Sequence, residues 1–310
     1  MITLYRFTKG FDFKMEKLKN YLKLIRIKHY LKNFLVFAPL LFSGNFFEVT
    51  LLLKTLLSFI AFSFTASVVY IINDIRDVEK DKLHPIKKER PIASGKVSKK
   101  EGIILAILLF IISIFINWNI STSPISFIIL LSYLLINIAY SFGLKNLPII
   151  DILILSIGFL LRVFYGAVIL NLNVSNWLYL TILSISFYLG LGKRRNEIDK
   201  SKNSRKVLEH YNRNFLDKNM YMCLALTIIF YSLWCVDPIN SLRFGDLNYL
   251  LFTVPIVMII CMKYSLNIEG DSFGDPVDVV FSDKTMLALI IIYGLCILLL
   301  LYIFPILIKY

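Results

Sequence analysis

Long apolar runs alternate along this chain with short, densely charged ones. Apolar stretches cover about 33–47, 50–72, 102–118, 124–142, 149–171, 176–192, 219–236, 247–265 and 285–307. Most approach or exceed the ~18 residues that mark a membrane-crossing helix. The pattern predicts an all-α, polytopic membrane protein of about nine transmembrane helices, with no room for a separate soluble domain. One integral membrane domain over 1–310 is expected: a basic interfacial segment at 1–32, a four-helix half at 33–142, a second at 149–265 and a ninth helix at 285–307. The two halves are suggested by a weak echo, since a long polar loop follows the second span (73–101) and another follows the sixth (193–218).

Composition agrees: 57% of residues are hydrophobic and the mean hydropathy is +0.71. Charge adds an orientation. With residues 1–32 inside, the inner segments 1–32, 73–101, 143–148, 193–218 and 263–284 hold 30 of the 34 Lys and Arg. That asymmetry predicts a cytoplasmic N-terminus and cytoplasmic polar loops in a cell (inner) membrane. Lys and Arg continue through Lys32, so the N-terminal segment does not read as a cleavable signal. The net charge of +13 then lies against a membrane, where it attracts anionic headgroups. Nucleic acid is not an expected partner. Residues 15–32 are basic and amphipathic and read as an interfacial anchor, with Lys28, His29, Lys32 or Asn33 placed to reach the rim of a site. Cys223, Cys235, Cys261 and Cys296 fall in or at the ends of spans without paired spacing, which argues against zinc and disulfides.

The chemistry concentrates in Asn73–Gly95, NDIRDVEKDKLHPIKKERPIASG. Asn73, Asp77 and Asp81 are four residues apart, so a helix sets their oxygens on one face in successive turns. Hard oxygen ligands suit Mg²⁺, which shares its remaining positions with water and substrate phosphates. A second polar stretch opens Gly192-Lys193-Arg194-Arg195-Asn196-Glu197. Cations at an inner helix end are ordinary for topology, but this cluster also suits phosphate oxygens. Arg162 lies deep in a span, where a charge is costly and faces a cavity or an anion. Asp151, eleven residues earlier, shares its helix face, so an internal Asp151–Arg162 network is the alternative to a substrate-facing Arg162. Tyr140, Lys145 and Asn146 adjoin on the neighbouring inner loop. The stretch Asn267–Pro276 reads as a tight polar turn, with a lid over the site as the alternative, and Ser282 or Asp283 caps the last span.

Asn73-Asp74-x-x-Asp77-x-x-x-Asp81 resembles the first aspartate motif of the UbiA superfamily of intramembrane prenyltransferases. That resemblance implies a bundle of nine helices around a cavity open to lipid. Arg26–Leu40, Asn73–Gly95, Tyr140–Arg162, Gly192–Glu197 and Tyr264–Asp283 are similar, in order, to the branch that includes decaprenyl-phosphate phosphoribosyltransferase, over nearly the whole chain. Aromatic prenyltransferases carry a second aspartate-rich motif after span six. Here GKRRNEIDK stands in its place, with Glu197 and Asp199 among cations. The resemblance implies Mg²⁺-dependent transfer of 5-phosphoribosyl from 5-phosphoribosyl diphosphate to a polyprenyl phosphate, releasing diphosphate. Metal ligation is expected of Asn73, Asp77 and Asp81, and catalytic roles of Asp77, Asp81, Arg162 and Lys193. Substrate contacts are expected of Lys28, Lys32, Asn33, Asp74, His84, Lys87, Lys88, Arg90, Tyr140, Lys145, Arg194 and Glu197. A homo-oligomer is compatible with this pattern. Three rivals stand beside it: an aromatic prenyltransferase of the same superfamily, a lipid or solute transporter, and a non-catalytic membrane scaffold.

Overall fold

The structure, a computed structural model, describes residues 15–200, 206–238, 248–270 and 275–305, and every regular element among them is helical. Helix α1 is described over 15–24. A 3-10 stretch, Ile27–Phe37, follows, then one helical turn, α2 (Ala38–Leu41). The order continues with α3 (Val49–Arg76), α4 (Val78–Leu83), α5 (Lys99–Ile120), α6 (Pro124–Phe142), α7 (Ile150–Leu170), α8 (Asn176–Lys200) and α9 (Arg213–Cys235). Last come α10 (Val254–Glu269), α11 (Pro276–Ser282) and α12 (Lys284–Leu298), which widens into a π-turn over Leu299–Ile303.

Local sequence sets the helix ends. Ser98 and Glu101 form a reciprocal capping box at the start of α5, satisfying two donors that the first turn would otherwise leave open. Ser123 caps α6 ahead of Pro124, and Asn212 caps α9. Asp283, the expected cap of the last span, accepts from the amides of Thr285 (2.8 Å) and Met286 (3.2 Å). Lys263 pairs with the same carboxylate at 2.9 Å.

Among the described residues, six helices are long and apolar enough to cross a membrane: Val49–Arg76, Lys99–Ile120, Pro124–Phe142, Ile150–Leu170, Tyr249–Glu269 and Lys284–Ile303. The other three expected spans depart from that measure for identifiable reasons. The first is not one helix: its residues follow a 3-10 path to Phe37, take a single α turn at Pro39, and reach Gly44 at φ 85°. The sixth apolar run continues as helix into the charged stretch 193–200, and the seventh helix begins in the polar Arg213–Lys218.

Helix α5 shows how these elements meet lipid and protein. It buries Gly102, Ala106, Leu109, Ser113 and Asn117 along one stripe, while Ile104, Ile107, Ile111, Phe115 and Trp118 stand exposed on another. Small and hydrogen-bonding residues inward, bulky apolar ones outward, is the pattern of a helix packed in lipid. The buried polar groups are partnered: Ser113 with Thr65 (2.8 Å) and the Ala61 carbonyl (2.7 Å), Asn117 with Ser126 (3.0 Å) and Tyr165 (2.9 Å). The 3-10 stretch lies so close to α7 that a Cβ on Gly166 would come within 2.1 Å of the Val36 carbonyl oxygen. The four cysteines are free thiols, three of them buried.

Candidate active site

Helix α3 ends at Arg76, and Asp77 forms the break before α4, at φ −90° and ψ 10°. Helical hydrogen bonding nevertheless runs through the break. The Asp77 amide donates to the Asn73 carbonyl at 2.9 Å, and the Asp81 amide to the Asp77 carbonyl at 2.8 Å. Asn73, Asp77 and Asp81 therefore stack one turn apart, as their spacing predicts.

Their side chains close on different partners. The Asn73 amide oxygen accepts from the Ser141 hydroxyl. Lys145 lies 3.4 Å from Asp77. Arg90 donates to Asp81 at 2.6 Å and also reaches Asp74 at 3.2 Å; Arg26 holds the same Asp74 oxygen at 2.5 Å. Asp74 and Asp81 are buried. Carboxylates removed from water need an opposite charge, and Arg26, Arg90 and Lys145 supply it. Among the described residues no three His, Cys, Asp or Glu side chains converge as a ready-made metal cluster. Two carboxylates and an amide on successive turns still fit a magnesium ion, which takes one or two protein carboxylates and completes its shell with phosphate and water.

A second charged cluster forms around Asp275. Lys193 of α8 (2.9 Å) and Lys32 of the 3-10 stretch (3.0 Å) donate to the same Asp275 oxygen, while its other oxygen caps α11 by accepting from the Val277 amide at 3.1 Å. Burial alone would raise this carboxyl, but the two ammonium groups overcome it and hold Asp275 well below the usual carboxylate range. Sequence reading gave this segment a turn role, with a lid over the site as the alternative; residues 271–274 of it lie outside the described residues.

Adjacent residues of α6 touch α3 and α8: Ser141 bonds Asn73, and Tyr140 accepts from Arg194 at 3.1 Å. The 3-10 stretch and the residue before it join the two clusters at one end of the bundle, with Arg26 on Asp74 and Lys32 on Asp275. Six residues at the ~2 Å rise of a 3-10 helix separate these anchors by roughly 12 Å along the stretch. Tyr70 stands beside it, with the Arg26 guanidinium 4.9 Å from its ring centre and the His29 ring 5.5 Å away. Burial, with Lys32 adjacent, lowers the His29 imidazole to about 4, so it is neutral at pH 7.

Several expected site residues are engaged elsewhere. Arg194 is fully buried and donates to Asp151 (2.5 Å), Glu197 (2.6 Å) and Tyr140 (3.1 Å); Tyr211 adds a 2.6 Å bond to Asp151. Arg194, Glu197 and Tyr140 thus form an internal network, not an open phosphate rim. Arg195 donates to Asp217 at 2.7 Å. The stretch from Lys193 is helix, not loop, because lysine, arginine and glutamate continue a helix readily. Of that cluster, Lys193 reaches Asp275.

The alternative Asp151–Arg162 network does not form, and Arg162 is buried and held by protein groups. Eleven residues share a helix face but stand about 16 Å apart along the axis. Arg162 instead donates to Asn33 (2.8 Å), the Gly158 carbonyl (2.5 Å) and Tyr133 (3.1 Å), among the rings of Phe62, Tyr133 and Phe159. Asn33, nearly inaccessible, donates onward to Ser63 at 2.9 Å. Both residues tie the 3-10 stretch to α7 and α3. Asp74 anchors Arg26 and Arg90, as described. His84 uses Nδ1 to accept from the amides of Ile86 and Lys87 and so closes a local turn. Lys88 is exposed on the short 3-10 turn Lys87–Glu89. The side chain of Asp199 lies outside the described residues. Sequence reasoning missed Asp275 and Arg26. An Asp-Pro pair opening a short helix hid the first as a cap, and Arg26 sat among many interfacial cations.

Comparison with known proteins adds to this geometry. The model of the UbiA prenyltransferase family matches residues 34–272. The decaprenyl-phosphate phosphoribosyltransferase of Mycolicibacterium smegmatis is 32% identical over 279 residues, covering 86% of this chain and 87% of that protein. The protein of the same name from Corynebacterium glutamicum is 31% identical over 290 residues, covering 92% and 87%. A solved UbiA homologue from Archaeoglobus fulgidus, bound to GPP and Mg²⁺, is similar in fold, with a TM-score of 0.64 at 19% identity over 90% of this chain and 99% of that one.

Proposed function

Since this chain belongs to the UbiA prenyltransferase family and is a multi-pass membrane transferase, we propose that it moves a 5-phosphoribosyl group from 5-phosphoribosyl diphosphate to a polyprenyl phosphate of the decaprenyl type, releasing diphosphate. The observation that carries this reading is the meeting, at one end of the bundle, of the Asn73–Asp81 ridge with the Lys32–Asp275–Lys193 cluster. An acidic ridge suits a metal-bound diphosphate, and a lysine pair suits a phosphate. Relatives about 30% identical over most of the chain, named decaprenyl-phosphate phosphoribosyltransferase, support a polyprenyl-phosphate acceptor and a phosphoribosyl group as what is moved. The charge pattern supports a cytoplasmic active face in the inner membrane.

Asn73, Asp77 and Asp81 are the residues to hold a divalent metal. A magnesium ion there, when bound, supplies charge neutralisation for the departing diphosphate. The chain's own groups bind and orient. Arg90 and Lys145 lie on the carboxylates of the ridge and provide positive charge where diphosphate oxygens come to rest. Lys193 and Lys32 offer ammonium donors to the lipid phosphate, with Asp275 holding the two in register. The bond from ribose C1 to the diphosphate oxygen breaks with its electron pair leaving on diphosphate, and a lipid phosphate oxygen bonds C1. That oxygen is already ionised at neutral pH, so no strong general base is required. Positioning and electrostatic stabilisation carry the rate.

The test is direct. Purified protein with Mg²⁺, donor labelled in the ribose, and polyprenyl phosphates of several lengths should yield a labelled lipid that EDTA suppresses. Label transfer from a prenyl diphosphate to an aromatic ring, with none from the ribosyl donor, would return the chain to the aromatic branch.

A further inference from the structure

Beside the ridge, a cavity of about 530 Å³ opens between α1 and the start of the 3-10 stretch, with Lys19, Lys23, Arg26, Lys28, His29 and Arg90 on its walls. Among the described residues no carboxylate lines it. Lys19, Lys23 and Lys28 make no ion pair among the described residues. Cations gathered in a concavity focus their field on whatever enters. A plain headgroup contact would explain lysines on a convex face, but here two arginines form the inner wall, and Asp74 holds both.

A further observation points to a ligand. Arg26 adopts the left-handed conformation, φ 56° and ψ 54°, which a non-glycine residue rarely takes and which concentrates at ligand clamps. That turn aims its guanidinium at Asp74 and across Tyr70. His29 stands on the same wall, its ring 5.5 Å from that of Tyr70.

We propose that this cavity is a phosphate-monoester site, taking the 5-phosphate of the sugar donor while the diphosphate end lies on the Asn73–Asp81 ridge. The assignment rests on the donor class proposed above. It gives the 5-phosphate to Lys23, Arg26 and Lys28, with Arg90 shared. Asp74 lies behind the lining and binds Arg26 and Arg90 at once, which ties the cavity to the ridge, so one molecule with a phosphate at each end spans both places. A prenyl diphosphate has no second phosphate to put there. The cavity therefore selects the ribosyl donor within a fold shared with prenyl-diphosphate enzymes.

The probe is ribose 5-phosphate, which lacks the diphosphate, measured on the full chain in phosphatidylcholine nanodiscs with EDTA present. We expect saturable binding, no binding of ribose, and about tenfold weaker binding in Lys23→Gln and Lys28→Gln, the loss of one charge-assisted contact each. With Mg²⁺, both variants should raise the KM for 5-phosphoribosyl diphosphate by a similar factor and leave the KM for polyprenyl phosphate unchanged. Unaltered ribose 5-phosphate affinity in both variants overturns the site. So does a result in which the variants lose only their association with phosphatidylglycerol vesicles, which assigns the lysines to lipid headgroups. If the wild type binds ribose 5-phosphate yet forms no labelled lipid from the full donor, the cavity stands and the proposed reaction falls.

Discussion

Replacing Arg194 by methionine tests whether the second cationic stretch serves substrate or structure. Arg194 and Asp151 both have no solvent exposure, and their 2.5 Å bond is the most enclosed ion pair described. Methionine keeps most of the volume and removes the charge. Asp151 is then left with the Tyr211 hydroxyl at 2.6 Å, a neutral donor for a buried anion, while Glu197 and Tyr140 lose their bonds at 2.6 and 3.1 Å. Breaking a buried pair in this way costs about 3–5 kcal/mol, a large part of the ~5–15 kcal/mol that holds a folded chain. At about 2 °C per kcal/mol for a chain of this size, the midpoint should fall by roughly 6–10 °C. Adding Asp151→Asn removes the stranded charge, so the double variant should recover at least ~1 kcal/mol relative to the sum of the single changes. The buried thiols of Cys223, Cys235 and Cys261 give the assay: a thiol-reactive dye reports unfolding in detergent as they emerge. A variant that melts within about 1 °C of wild type, but with a raised KM for either phosphate substrate, would refute the structural assignment and return Arg194 to the substrate.

Asp77→Asn should abolish metal-dependent turnover with little change in melting, since Asp77 is part-exposed and its 3.4 Å contact with Lys145 is worth at most ~1 kcal/mol; turnover near wild type would remove Asp77 from the metal site. Asp275→Asn should destabilise the chain and leave Lys32 and Lys193 facing each other. Because the Asp275 carboxyl is held below its ordinary 3.8 in the folded chain, its contribution is present above that pH and fades as pH falls further. The melting difference between wild type and Asp275→Asn should thus stay constant from about pH 8 to 5 and narrow only below about pH 4; narrowing near neutrality would refute the depressed value. Gly166→Ala sets a Cβ 2.1 Å from the Val36 carbonyl oxygen, so the 3-10 stretch must shift, and about 1–3 kcal/mol of stability should be lost together with activity, whereas unchanged melting would mean that the two backbones are farther apart. Arg162→Lys cannot serve three acceptors in three directions and should lower the melting temperature more than the KM for either substrate; the reverse order would make Arg162 a substrate ligand.

How much was legible in the sequence differs between fold and site. Apolar run lengths and the one-sided distribution of Lys and Arg gave the all-α membrane class, because a bilayer requires every backbone group to be satisfied within a helix and charge to stay outside the hydrocarbon. The four-residue spacing of Asn73, Asp77 and Asp81 gave their stacking, which survived even a break in the helix at Asp77. Periodicity could not say which cation meets which acid. Arg194 and Lys193 are neighbours in the chain, yet one is sealed against Asp151 and the other meets Lys32 at Asp275, since consecutive residues on a helix point about 100° apart.

Sequence alone therefore determined the class of the chain and the stacking of the acidic ridge, both of which follow from local spacing and from the lipid around the helices. Tertiary structure decided the partners. Arg26 reaches Asp74 across 48 residues, Arg162 reaches Asn33 across 129, and Lys32 meets Asp275 across 243. These pairings depend on how the 3-10 stretch threads between α3, α7 and α11, and no local pattern encodes a path set by the packing of distant helices.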